Sequence, residues 1–251
     1  MEKEFEEFII KFKDISKKGY IKGINKNTNS IGLTFEKLLG KNADSMYFPD
    51  YKNIEIKCTS RYSRFPISLF SIAFDGPNLY EMNRLLTTYG KKDIIYENKY
   101  QLNGPLYVNC LYRINDNYFK LKINYEEERL YLAVYDLKVN LIEEKTYIDF
   151  STLKERLEVK LSNLALVYAS KKSTSYDVQF RYYKLILYKL KSFETFISLL
   201  KQNKLDVLIC GRVTRSGDDS GRQRNKNLVI KIPKESIELL FKKVYEYNHD
   251  D

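Results

Sequence analysis

Residues 48–61 read FPDYKNIEIKCTSR, and the alternation that begins at Asn53 decides the fold. Ile54 and Ile56 fall on one side of an extended segment and Glu55 and Lys57 on the other, which is the two-residue period of a strand. The spacing predicts a strand over Asn53–Thr59 whose apolar face is buried and whose charged face is thereby held rigid. Asp50, at the turn entering that strand, brings a second carboxylate towards Glu55. A hard cation such as Mg²⁺ takes oxygen ligands and needs only one or two protein carboxylates beside waters and phosphate oxygens. A lysine next to such a pair orients or activates an attacking water and offsets charge building on a phosphorane. Asp50, Glu55 and Lys57 are therefore a candidate set for phosphodiester hydrolysis. The spacing by itself is weak, because a chain rich in Glu and Lys places such triples on solvated strands by chance.

Upstream, Phe5, Phe8, Ile9, Phe12 and Ile15 recur at helical spacing and predict a first amphipathic helix over 2–16. A loop is expected over 17–31, then a short helix Thr34–Leu39 stopped by Gly40, then a polar loop to Pro49. Glu36 sits in that short helix among Phe35, Leu38 and Leu39. It either points at the same metal site or is solvated beside Lys37.

Downstream, the pattern predicts a strand Ile67–Phe74, a turn at Asp75-Gly76-Pro77 and a helix Leu79–Tyr89. Three Tyr-rich runs between 104 and 137 read as an antiparallel meander. Helix, strand, strand and helix follow at 150–160, 164–170, 178–190 and 192–202. A strand pair Asp206–Val213 and Asn227–Ile232 is joined by TRSGDDSGRQRNK (residues 214–226), ahead of a closing helix from Pro233 to Tyr247. That connector is the clearest loop of functional type. The expected architecture is mixed α and β, a central sheet flanked by helices, with no internal repeat and no persuasive linker. At 251 residues it is one large domain or two lobes sharing a core.

Forty-three Lys and Arg against 33 Asp and Glu give a formal charge of +10 and a pI near 9.2. That favours polyanionic partners, nucleic acid or an acidic membrane surface. AT-rich coding, which swells Lys, Asn, Ile and Tyr together, accounts for the same excess. The opening MEKEFEEFIIKFKDISKKG is too acidic for a signal peptide, and no run approaches the roughly 20 apolar residues of a spanning helix. Three dispersed cysteines, Cys58, Cys110 and Cys210, fit a reducing compartment, so a cytoplasmic protein with no membrane partner is expected. His249 is the only histidine, which excludes a His-based zinc cluster and a His-dependent triad.

The stretches GYIKGINKNTNSIGLTFEKLLG (19–40), FPDYKNIEIKCTSR (48–61) and ISLFSIAFDGP (67–77) resemble the MvaI/BcnI family of type II restriction endonucleases. That family belongs to the PD-(D/E)XK nucleases and is similar to the mismatch-repair nicking enzyme MutH. The likeness is dense over 19–77, continues in TYGKKD (88–93), and is looser at the 211–232 hairpin. It implies a restriction-endonuclease-like core within one domain spanning 1–251, with its catalytic motifs in 19–93 and a DNA-recognition hairpin at 206–232. It further implies Asp50 and Glu55 as metal ligands, with Ile56 in the metal set, Lys57 as the catalytic lysine and Glu36 as the accessory acid. The cofactor implied is Mg²⁺, with Mn²⁺ as a substitute. The partner implied is double-stranded DNA, bound by a monomer with catalytic and recognition lobes that cuts each strand in turn within a short GC-rich pseudopalindrome. The resemblance also implies a companion DNA methyltransferase that acts on the same site without necessarily binding this chain. The family hairpin carries His where this one has none, so base readout differs there.

Arg212, Arg215, Arg222, Arg224 and Lys226, set around Gly217 and Gly221, make a flexible basic finger. Arginine grips guanine O6 and N7 bidentately, so these are candidate base contacts, although most such bonds go to the backbone. Lys91, Lys92, Arg61 and Arg64 are placed to hold phosphates near the cut. Two other readings stay open: a MutH-like strand-nicking repair endonuclease, and a DNA-binding protein that does not cleave.

Overall fold

The computed structural model describes residues 2–40 and 47–249, so positions 41–46 of the polar loop expected before Pro49 lie outside the described residues. The elements begin with α1 (Lys3–Ser16), β1 (Ile21–Lys22), α2 (Ser30–Leu38), β2 (Ile54–Ser60), β3 (Ile67–Ile72), α3 (Glu81–Tyr89), β4 (Lys91–Lys92) and β5 (Tyr100–Leu106). Next come β6 (Tyr112–Ile114), β7 (Asn117–Asn124), β8 (Arg129–Tyr135), β9 (Leu141–Asp149), α4 (Phe150–Leu161) and β10 (Asn163–Ser173). The chain ends with β11 (Val178–Leu190), α5 (Phe193–Lys201), β12 (Asp206–Val213), β13 (Gln223–Ile232), α6 (Ile237–Leu240) and β14 (Phe241–Asn248). The class is mixed α and β as expected, but the strands form three sheets instead of one central sheet. They divide between two compact units, one drawn from residues 1–65, 157–192 and 237–251, the other from 66–156 and 193–236. Among the described residues no helix is long and apolar enough to cross a membrane.

In the first unit the strand order is β1-β11-β10-β2, with β14 also on β11. β2 runs parallel to β10, with Ile56 opposite Ala165, and β10 runs antiparallel to β11. One face of this sheet carries Ile54, Ile56, Ala165, Val167, Val178, Phe180 and Tyr182 against the stripe of α1 and Phe35 of α2. Phe35 meets Tyr182 at 4.9 Å between ring centres, and Phe8 meets Tyr51 at 5.5 Å. Full burial of each such side chain stabilises the unit by about 1.5–3 kcal/mol. Leu164, Leu166 and Glu55, which point the other way, are buried as well. The charged face of β2 is therefore covered at its start, as both faces of parallel pairs usually are. α2 begins at Ser30, four residues before its expected start, and ends as expected at Gly40, whose φ of 84° suits glycine and whose N–H donates to the Lys37 carbonyl at 3.0 Å.

The closing helix predicted over Pro233–Tyr247 is corrected. Only Ile237–Leu240 is α-helical, and Phe241–Asn248 forms β14, antiparallel to β11 with Tyr245 opposite Leu187 and Tyr247 opposite Leu185. Phe241, Val244, Tyr245 and Tyr247 are strand formers, and a neighbouring strand gives the tyrosines a face to bury. Tyr247 packs on Phe12 at 5.9 Å, an option that residues 233–247 read alone do not display.

In the second unit β3-β13-β12-β5-β4 form one antiparallel sheet and β6-β7-β8-β9 a second. The meander is present, with two changes. The three expected runs are β6, β7 and β8, paired in order, but residues 104–106 at the start of the first belong to β5, which pairs with β12 in the other sheet, and the fourth strand, β9, was unforeseen because LIEEKTYID reads as solvated.

Candidate active site

Among the described residues β2 is an edge strand, with β10 on one side only. The turn before it folds back tightly: Lys52 takes a φ of 51°, Ile54 N–H donates to the Tyr51 carbonyl at 2.8 Å, and Tyr51 N–H to the Ile54 carbonyl at 3.0 Å. Asp50 then reaches past Tyr51, and its Oδ2 accepts the Ile56 N–H at 3.0 Å. In an extended strand the N–H and C=O of one residue point the same way. The Ile56 carbonyl therefore faces the open edge on which Asp50 lies, while the Ile56 side chain is buried in the core.

Glu55 points to the sheet face opposite the α1 core and is 1% exposed. Lys57 Nζ donates to its Oε1 at 2.5 Å. Lys160, from the last turn of α4, places its Nζ 3.2 Å from Oε2 as an ion pair, and Oε2 makes no hydrogen bond among the described residues. Burial pushes the Glu55 carboxyl up from its ordinary value, Lys57 pulls it down, the Asp50 charge raises it further, and the net direction is upward. Sequence reasoning missed Lys160. Its one signal is its place three residues after Leu157 and beside Leu161, both fully buried, so it flanks an apolar stripe. Such a lysine ordinarily reads as a stem packed on the surface with a solvated head.

Glu36 projects from α2 back over Gly32, where an added Cβ would lie 3.6 Å from its Oε1. Burial raises the Cys58 thiol well above its ordinary value, and the nearby Glu36 and Asp50 carboxylates push it the same way. Both acids are thus near Cys58. The fold brings Asp50, Glu55 and Lys57 together at the start of β2, with Lys160 paired to Glu55, and sets Glu36 near Cys58 of the same strand. Among the described residues no group of three or more His, Cys, Asp or Glu side chains stands ready to cage a metal. Two carboxylates and one main-chain carbonyl form an all-oxygen set, too sparse for a closed site and suited to a hard cation that keeps waters and borrows phosphate oxygens. Arg61, beyond the same strand, spreads its guanidinium 5.9 Å from the Tyr62 ring and 5.4 Å from the Tyr183 ring, and Arg64 follows on the turn.

In the second unit Lys91 and Lys92 form the exposed edge strand β4. The hairpin is more ordered than the finger expected from its sequence. β13 starts at Gln223, so Arg224 and Lys226 lie in a strand, and Arg224 stands directly opposite Arg212. Arg212, Arg224 and Lys226 occupy one exposed face, with no acidic partner among the described residues. Like charges directly opposite destabilise a strand pair, so this face suits an anionic partner. Arg215 and Arg222 are engaged differently: Arg215 forms a two-pronged pair with Asp93 at 2.9 and 2.6 Å, and Arg222 pairs with Asp219 at 3.2 Å.

No curated protein matches the chain. Two solved structures match its fold across 97% of this chain and 98% of theirs at 23% identity: the restriction endonuclease MvaI in complex with its cognate DNA substrate, at a TM-score of 0.89, and MvaI in the absence of DNA, at 0.62. Residues 9–241 match the sequence pattern of the MvaI/BcnI restriction endonuclease family. A match over that span settles membership: the chain belongs to the MvaI/BcnI restriction endonuclease family, and its activity class is that of a type II site-specific deoxyribonuclease.

Proposed function

We propose that the chain hydrolyses phosphodiester bonds of double-stranded DNA with Mg²⁺ as cofactor, at a short, GC-rich pseudopalindromic site, acting as a monomer that cuts the two strands in turn. The observation that carries the chemistry is the juxtaposition at the β2 edge: Asp50 fixed on the Ile56 N–H, and Glu55 and Lys57 joined at 2.5 Å. Double-stranded DNA as partner is supported by the family and by the fold shared with MvaI, which was solved with its cognate DNA. Site composition and monomeric action rest on the family resemblance.

Asp50, Glu55 and the Ile56 carbonyl would hold the cation, whose chemistry is to polarise the scissile phosphate and lower the pKa of a bound water. Lys57, an ammonium in contact with Glu55, orients the attacking water and balances charge on the phosphorane. The water oxygen bonds to phosphorus, the bond to the leaving sugar oxygen breaks, and solvent exchanges the protons. Glu36 acts as the accessory acid on the Asp50 side, and Lys91, Lys92, Arg61 and Arg64 hold phosphates.

Digestion of a sequenced plasmid with wild type and Lys57→Ala, in Mg²⁺ and in EDTA, tests this. Discrete fragments with defined ends, lost in EDTA and in the variant, are expected. Nicked circles would instead assign a strand-nicking repair enzyme, and intact DNA that still shifts on a gel would assign a binder.

A further inference from the structure

Asp93 follows β4, and its side chain is completely buried within its loop, 0% exposed. Its Oδ1 accepts the Ile95 N–H at 2.9 Å, the Tyr96 N–H at 3.0 Å and Arg215 Nη1 at 2.9 Å. Its Oδ2 accepts Gln101 Nε2 at 2.7 Å and Arg215 Nη2 at 2.6 Å. Two of these five donors belong to the turn between β12 and β13, so one carboxylate ties the 93–101 segment to the tip of the hairpin. Around it, the Tyr96 hydroxyl lies 2.7 Å from Ser220 Oγ, and the Tyr96 ring lies so close to Gly221 that a Cβ there would sit 3.0 Å from it. Gln223 accepts the Tyr100 N–H at 3.2 Å and donates to the Tyr100 carbonyl at 3.0 Å.

We propose that Asp93 is a positioning residue for DNA specificity: through Arg215 it fixes the hairpin that presents Arg212, Arg224 and Lys226. The inference rests on the reading of this hairpin as the DNA-recognition element. Fold stability has other sources in that sheet, since Leu102, Ile209, Leu228 and Ile230 are buried. What the clamp adds is placement. Charge-assisted two-pronged pairs fix geometry as well as attraction, and reading base edges needs side chains held within about 0.5 Å of the productive position.

The test measures equilibrium binding in EDTA to a duplex carrying the site read from the digestion ends and to the same duplex with one base pair changed. For Asp93→Asn the ratio of the two affinities falls about tenfold, while single-turnover cleavage at saturating cognate DNA stays within about twofold of wild type. The double variant Asp93→Asn, Arg215→Gln is no worse than Arg215→Gln alone. If Arg212→Gln and Arg224→Gln reduce binding but Asp93→Asn leaves the ratio unchanged, the clamp has no such role. If those two arginine variants bind like wild type, the recognition reading of the hairpin fails and the inference with it. Should Asp93→Asn not fold, Arg215→Lys, which keeps the charge and loses the fork, decides: an unchanged ratio overturns the proposal.

Discussion

Lys160 Nζ stands 3.2 Å from Oε2 of Glu55, the carboxylate whose other oxygen is 2.5 Å from Lys57 Nζ. A carboxylate 1% exposed is thus flanked by two ammonium groups from opposite ends of the parallel β2/β10 crossover. Removing one cation leaves the buried charge undercompensated, so Lys160→Met should destabilise the protein by about 2 kcal/mol at neutral pH. The pH dependence has a definite sign. Burial raises the Glu55 carboxyl above its ordinary 4.5, Lys160 opposes that rise, and its loss raises the group further. A carboxyl raised in the folded state favours folding below its unfolded value and gives that up as pH rises. The Lys160→Met deficit should therefore be small below 4.5 and grow towards neutrality. Urea unfolding at several pH values reads it out, and a deficit of equal size at every pH would exclude Glu55 as the partner that matters.

Asp50 and Glu36 should differ in their weight on cleavage. Asp50 binds the strand edge through the Ile56 N–H, whereas Glu36 comes from α2 and lies near Cys58. Asp50→Asn is expected to slow single-turnover cleavage by about 10³-fold, and Glu36→Gln by about tenfold. Equal losses in rapid-quench measurements would place the two carboxylates on the same footing.

How much of this was legible in the sequence depended on range. Asp50, Glu55 and Lys57 come together through one strand and its entry turn, so local alternation was enough to place them on one edge. Lys160 reaches Glu55 only because β10 pairs in parallel with β2, and no window of sequence contains both residues. β14 was misread for the same reason: the tyrosines of FKKVYEYN bury themselves on β11 and α1, partners absent from the segment itself. The hairpin arginines look alike in sequence, but Asp93 claims Arg215 and Asp219 takes Arg222, whereas Arg212 and Arg224 are left facing each other.

The second unit has its own buried charge. Glu81, 0% exposed, accepts from Arg84 Nε at 2.9 Å, Thr146 Oγ1 at 2.5 Å and Asn78 Nδ2 at 2.7 Å, while Arg84 also reaches Glu143 at 2.6 Å. Burial pushes the Glu81 carboxyl up, but the hydrogen bonds from Arg84, Thr146 and Asn78 outweigh it and hold it below 4.5. A lowered carboxyl contributes stability above its unfolded value and loses it as pH falls through the folded one. Glu81→Gln should cost about 3 kcal/mol at neutral pH, with the gap to wild type narrowing below 4.5. Thermal unfolding of the two proteins across that range checks it, and a gap that widens on acidification would reverse the sign assigned to Glu81.

Salt titration separates the cations of the hairpin by their existing partners. Each phosphate neutralised on duplex DNA contributes a slope of about −0.9 to log K against log salt. Arg212, Arg224 and Lys226 face outward with no acidic partner among the described residues, so each change to Gln should reduce the slope by up to about 0.9 if that side chain meets a phosphate. Arg222 already pairs with Asp219 at 3.2 Å and must give up that contact to meet DNA. Arg222→Gln should therefore move the slope less than any of the three. A cation that instead reads a base edge behaves differently: its loss lowers affinity for the cognate duplex by about 1–3 kcal/mol, with a smaller effect on a duplex changed at that base pair. Gel-shift titrations on both duplexes, in EDTA and across a salt series, assign each residue to one role or the other. If Arg222→Gln moved the slope as much as Arg224→Gln, the existing ion pair would have no influence on which cations meet the backbone.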